Sequence, residues 1–280
     1  MSANHTIPVA EQRKLRTKMY KKHNVANIIT HWFNVASWMM LLPSGIAIIS
    51  SPRLGITPVW LQEWFRSMFG GTANLITFHY TVGFVWIFIL LFNIFVGWRK
   101  YFVPFAVKRM FMDKDDMQWM MIKPLQMLGL KKDVPLPPQD AYNAGQKVYS
   151  YFVVLGTAGI MISGPVMVLK SLFPPIIKQI AQPVHFLSVF MIVAWLFIHV
   201  YMGAIFPEEK EAFFSMFNGK VSAWYAKNHH SKWYWEKVEE EMDWEDNVNK
   251  ALSSTTPTRF AQTSSGAGGH EGDQEHFVHE

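Results

Sequence analysis

An all-α membrane protein, a bundle of four transmembrane helices with both termini in the cytoplasm, is the fold class this sequence predicts. Three observations predict it. The 280 residues contain four apolar runs, at about 28–49, 75–98, 148–169 and 184–206, and about 20 such residues cross a ~30 Å hydrocarbon layer. The basic residues crowd into alternate connections between those runs. The number of spans is even, which agrees with both ends of the chain lying on one side.

The runs read as helices because lipid offers no partner to an unpaired backbone group. Their flanks fix the orientation. The N-terminal arm, 1–26, carries Arg13, Lys14, Arg16, Lys18, Lys21 and Lys22. It is too polar and too long to begin a cleavable signal peptide, and the apolar run after it is too long for one. The connection 50–72 has only Arg53 and Arg66, and its VWLQEWFRSMF stretch, with Trp60, Trp64 and Phe65, predicts a short helix at the membrane interface. The central connection is rich in Lys and Arg, from Arg99 to Lys132; its MQWMMIKPLQML segment predicts a second interfacial stretch before the turn DVPLPPQD. The third connection holds only Lys170 and Lys178. The positive-inside rule therefore puts the arm, the central connection and the tail in the cytoplasm. The transmembrane domain is 27–206. The tail, 207–252, begins as an amphipathic helix and continues as the basic-aromatic KVSAWYAKNHHSKWYW; 253–280 reads as disordered. No soluble segment is large enough for a separate catalytic core.

Composition excludes several chemistries. The absence of cysteine removes disulfides, CxxCH-attached haem and cysteine-ligated iron–sulfur clusters. A net charge of +5 needs no nucleic acid, because the basic residues flank apolar segments.

Eleven histidines remain to be explained. His5, His23, His229, His230, His270, His276 and His279 lie in polar arms or tails and read as solvated surface. His31, His79, His185 and His199 lie within or at the edge of apolar spans, where ionisable groups are costly and mark function. His185 and His199 are fourteen residues apart, about 21 Å along one helix face. The alternating direction of the spans pairs His79 with His185 at the outer level and His31 with His199 at the inner level. Two axial pairs are what two six-coordinate b haems need. Gly45, fourteen residues after His31, falls at the outer level and leaves a porphyrin room to approach. Two other readings stay open: His/Met ligation, given Met39, Met40, Met161, Met167, Met191 and Met202, and a non-redox anchor or transporter with histidines used for packing or proton relay. Asn143, on these grounds alone, reads as a helix cap.

The motifs THWFN, FHYTVG, AYNAGQK (141–147), IHVYMG and NGKVSAWYAKNHHSKWYW resemble the cytochrome b (gamma) subunit of membrane-bound respiratory formate dehydrogenase over about 23–235. The HWxN and HxxxG fragments are shared more loosely with cytochrome b subunits of nickel–iron hydrogenases and of thiosulfate or polysulfide reductases. The resemblance implies an electron-transfer and quinone-reducing subunit of the bacterial inner membrane, carrying two b haems. Its partners would be an iron–sulfur (beta) subunit and a molybdenum or tungsten catalytic (alpha) subunit within a larger oligomer. His79 and His185 would hold the haem facing the iron–sulfur subunit, and His31 and His199 the haem facing the quinone. Asn143, Gly145 and Gln146 would line the site of a quinone, menaquinone by the same resemblance.

Overall fold

A computed structural model describes residues 8–49, 57–131 and 133–255. Pro52, Arg53, Lys132, His5 and the segment 256–280, with His270, His276 and His279, lie outside the described residues.

In the unit that ends at Trp235, the arm forms α1 (Val9–Thr17) and strand β1 (Met19–Lys21). The first membrane helix, α2 (Val25–Ile48), starts where Asn24 accepts from the Asn27 amide at 2.8 Å. A short amphipathic helix, α3 (Val59–Met68), follows, with Trp60 and Trp64 exposed. Arg66 donates through Nε to the Ala47 carbonyl at 2.9 Å and so ties α3 to the end of α2. Next, α4 (Thr72–Gly97) runs on through π turns and one α turn, α5 (Val103–Phe105), to Met110. That is 39 continuous residues, about 58 Å at 1.5 Å each, so roughly half lies beyond a ~30 Å layer. Arg99 and Lys100, which read as the start of a loop, are therefore helical.

The central segment then folds as α6 (Lys114–Met127), opened by a reciprocal capping box between Asp113 and Asp116. The remaining membrane helices are α7 (Ala144–Val168) and α8 (Pro175–Val200), the latter extended by π turns to Ile205. The tail forms α9 (Lys210–Asn218), strand β2 (Lys220–Ser222) and α10 (Ala223–His229), and α11 (Ser231–Thr255) starts at its end.

The four long helices pack as two pairs, α2 on α4 and α7 on α8, with lighter contact between α4 and α7. The apolar seam is Trp86, Ile160 and Ile192, against which Phe33, Trp38 and Leu41 pack. Trp86 satisfies its indole by donating to Asn34 Oδ1 at 2.8 Å. Ile192 lies seven residues from both His185 and His199, so the seam separates the two histidine levels. Few other span residues are buried, and large side chains such as Phe88, Phe92 and Phe95 project outward, as lipid permits and water does not.

Arm and tail meet at one end of this bundle. Strands β1 and β2 pair antiparallel, with Tyr20 opposite Val221. The turn into β2 needs Gly219: its φ is +75°, and a Cβ there would lie 2.6 Å from the His23 carbonyl oxygen. The Gly219 carbonyl accepts from the amides of Lys22 (2.8 Å) and His23 (3.0 Å). His230 is fully buried, which corrects its reading as solvated surface. Its Nε2 stands 2.9 Å from Lys22 Nζ and its Nδ1 2.6 Å from the Asp140 carbonyl. Burial pulls Lys22 down to about 8 although Glu209 opposes the shift.

Candidate functional site

The four span histidines come together as two pairs. His79 of α4 faces His185 of α8 with ring centres 6.5 Å apart. His31 of α2 faces His199 of α8 at 6.4 Å, on the side nearer the arm and tail. An imidazole nitrogen binds a metal at about 2.0–2.1 Å with its ring centre about 1.1 Å behind, so two rings flanking one metal have centres about 6.3 Å apart. Both separations match that requirement. The described residues contain no cluster of three or more His, Cys, Asp or Glu side chains for a bare metal ion. The donor set suits a group that brings its own equatorial ligands and asks only for two axial ones.

The surroundings of the pairs differ. The Nδ1 of His79 is 2.9 Å from Ser44 Oγ, and the Nδ1 of His185 is 3.1 Å from Ser163 Oγ. Gly45 and Gly164 sit beside the same rings: a Cβ would lie 3.2 Å from His79 Cε1 at the first and 3.6 Å from His185 Cε1 at the second. The room left at Gly45 is therefore filled by the His79 ring. Of the other glycines one turn from these histidines, Gly203 has open space around it and Gly83 only ordinary contact with Leu41. Sequence reading missed the serines, although the Ser-Gly dipeptide recurs in the first and third spans. In the second pair, His31 Nδ1 is buried without a hydrogen-bond partner among the described residues, and His199 stacks on Tyr149 at 4.7 Å.

AYNAGQK opens α7 at the arm-and-tail end. Asn143 and Gln146 form a capping box: the Gln146 amide donates to Asn143 Oδ1 at 2.9 Å, and the Asn143 amide to Gln146 Oε1 at 3.1 Å. The capping role is thus observed, and it engages the oxygen of Asn143 rather than its NH2. Gly145 lets the Trp119 ring approach: a Cβ would sit 3.4 Å from it. Lys147 is buried and paired with Asp116 of α6 at 2.6 Å. A cavity of about 80 Å³ adjoins Asn143, lined by Trp119, Lys123, Gln139, Glu209 and His229. Burial raises Tyr142 to about 12 and lowers His23 to about 4, so neither ring is charged near neutrality.

A helical membrane bundle with histidines stacked at two levels defines the class of integral-membrane haem proteins. This chain belongs to the prokaryotic cytochrome b561 family, whose sequence model matches residues 22–219. The family binds b-type haem, so the protein is a multi-pass membrane cytochrome b. Its curated relatives include the cytochrome b556(Fdn) subunit of the nitrate-inducible formate dehydrogenase of Escherichia coli K12, 26% identical over 83% of this chain and 99% of the relative. The formate dehydrogenase cytochrome b556 subunit of Haemophilus influenzae is 22% identical over 85% of this chain and 91% of the relative. A putative protein-methionine-sulfoxide reductase subunit, YedZ1, of Azospira oryzae is 27% identical over 64% and 88%.

Proposed function

We propose that this chain is the di-haem cytochrome b subunit of a respiratory formate dehydrogenase, passing electrons from an iron–sulfur partner to membrane quinone. The reading is carried by one observation: α8 presents His185 and His199 to two different partners, His79 and His31, at metal-spanning separations. The relatives' names supply the complex: each is called the cytochrome b556 subunit of a formate dehydrogenase.

In this reading His79 and His185 hold the haem on the outer side of the bacterial inner membrane, and His31 and His199 hold the other near the cytoplasm. Bound haem iron supplies single-electron ferric–ferrous chemistry. The fourteen-residue spacing on α8 separates the two pairs by about 21 Å. The seam of Trp86, Ile160 and Ile192 keeps water from the space between them. At the inner face, Asn143 has its oxygen engaged in the cap, which leaves its NH2 as the group that would donate to a quinone carbonyl. The cavity beside it is too small for a quinone ring but takes a few waters. We assign it to proton supply from the cytoplasm, with Glu209 and His229 on its wall, and the ring itself to the lipid side. Electrons moving inward while protons are consumed inside generate a membrane potential. The basic arm, central segment and tail keep that end cytoplasmic.

The test is a reduced-minus-oxidised visible spectrum of the purified complex with haem extraction. Two non-covalent b haems per chain are expected, and His199→Ala should remove one of them. A fully assembled preparation without haem would sink the assignment. Copurifying subunits identify the oxidising partner: a molybdenum or tungsten protein supports formate dehydrogenase, and a nickel–iron protein overturns that part.

A further inference from the structure

The two serines beside the outer histidines do more than fill space. Each hydroxyl has one hydrogen and a helical carbonyl in reach to take it. Ser44 Oγ lies 2.7 Å from the Met40 carbonyl and 3.1 Å from that of Leu41; Ser163 Oγ lies 2.6 Å from the Gly159 carbonyl. With its hydrogen on the backbone, each oxygen meets the neighbouring histidine as an acceptor only. The contact then requires a proton on Nδ1 of His79 and of His185, which leaves both Nε2 lone pairs free for a metal. The arrangement is built twice with one logic. Ser44 on α2 serves the histidine of its packed partner α4, and Ser163 on α7 serves that of its packed partner α8. Ser44 and Ser163 are among the most completely buried side chains of the chain, so water does not compete for these contacts.

We propose that Ser44 and Ser163 are positioning residues that fix His79 and His185 as the Nδ1–H tautomer and lower the reduction potential of the iron those rings hold. The proposal rests on the ligand assignment above. A hydrogen bond from the far nitrogen makes an imidazole a stronger donor to its metal, which stabilises the ferric state. At the other level His31 Nδ1 is buried without such a partner among the described residues. The two levels are thereby biased in the direction that favours inward flow, and the bias comes from the protein alone.

The experiment is a potentiometric titration of the haem absorption bands of the purified complex, paired with haem stoichiometry and low-temperature EPR of the low-spin ferric signals. His79→Ala is the control. Loss of one haem in that variant marks the outer site, and retention of both would fail the ligand assignment itself. Ser44→Ala and Ser163→Ala should each raise the midpoint of the haem that His79→Ala removes, shift its EPR signal and leave the other haem unmoved. Should alanine variants lose that haem outright, Ser163→Thr and Ser163→Val, equal in shape, decide the matter. Threonine keeps the wild-type midpoint or occupancy and valine does not. Unchanged midpoints and spectra in both alanine variants with two haems present, a shift confined to the inner haem, or equal behaviour of threonine and valine would overturn the proposal.

Discussion

Lys147 shows what a single residue contributes here. It sits in the first turn of α7, beside the residues assigned to quinone, yet its ammonium is buried and meets the equally buried Asp116 carboxylate at 2.6 Å. A second contact, 3.3 Å to the Phe111 carbonyl, helps satisfy its donors. Asp116 also closes the capping box of α6, so one carboxylate starts one helix and clamps it to the next. Removing one partner of a buried ion pair leaves an uncompensated charge and costs about 3–5 kcal/mol. Asp116→Ala should lower the thermal midpoint of the detergent-solubilised complex sharply, and Asp116→Ala with Lys147→Met should recover much of that loss. Equal destabilisation in the single and double variants would show that the cap, not the pair, matters. In the sequence Lys147 is only the last residue of the AYNAGQK motif. Its partner lies 31 residues earlier, just ahead of the stretch read as skimming the interface, and no periodicity links charges across such a gap. The four histidines of the spans were legible because lipid makes each one conspicuous.

Among the elements, the spans were legible from length and hydropathy, but their ends and mutual approach were not. Arg99 and Lys100 look like a boundary because charge leaves the hydrocarbon there; the helix itself has no reason to stop and continues to Met110. The α7–α8 contact is likewise invisible in composition. At Gly156 a Cβ would fall 2.5 Å from Ile192 Cγ1 and 3.1 Å from the Ser188 carbonyl oxygen. The nearer atom can shift by a rotamer change, but the backbone oxygen moves only with α8. Small residues at such crossings set helix distance in membranes. Because α8 carries one histidine of each pair, pushing it from α7 disturbs both levels together. Gly156→Val should therefore destabilise the bundle by more than the 1–3 kcal/mol typical of overpacking and reduce haem content at both sites in parallel. Visible spectra per mole of inserted protein measure this. Selective loss of a single haem would show that α8 moves as something other than a rigid rod.

At the scale of the whole transmembrane unit, the end where we propose that protons enter is also the end built from sequence-distant parts. The arm supplies β1, Lys22 and His23; the central segment supplies Asp140; the tail supplies β2, Glu209 and His230. Their histidines read as surface because polar neighbours surround them in sequence, and only the fold reveals that His230 is fully buried and His23 half-buried. Burial, reinforced by the Lys22 charge, holds His23 at about 4 and pushes His230 in the same direction, well below its ordinary 6.5. Both folded pKa values are thus depressed relative to the unfolded chain. Above pH 6.5 the rings are neutral in either state and their own contribution to the docked end is constant. As pH falls from 6.5 toward 4, the unfolded chain binds protons that the folded one refuses, and stability drops. For His23 the loss approaches about 3 kcal/mol at the lower limit, at 1.36 kcal/mol per pKa unit. Protonation of paired carboxylates adds its own slope, so the diagnostic is a difference. Thermal midpoints of wild type and of His230→Gln should diverge most near neutrality and converge as pH falls through this window, because the variant lacks one of the rings that resists its proton. Parallel curves from pH 7 to 4 would mean that the folded protein takes up a proton at His230 as readily as the unfolded chain does, despite Lys22 only 2.9 Å away.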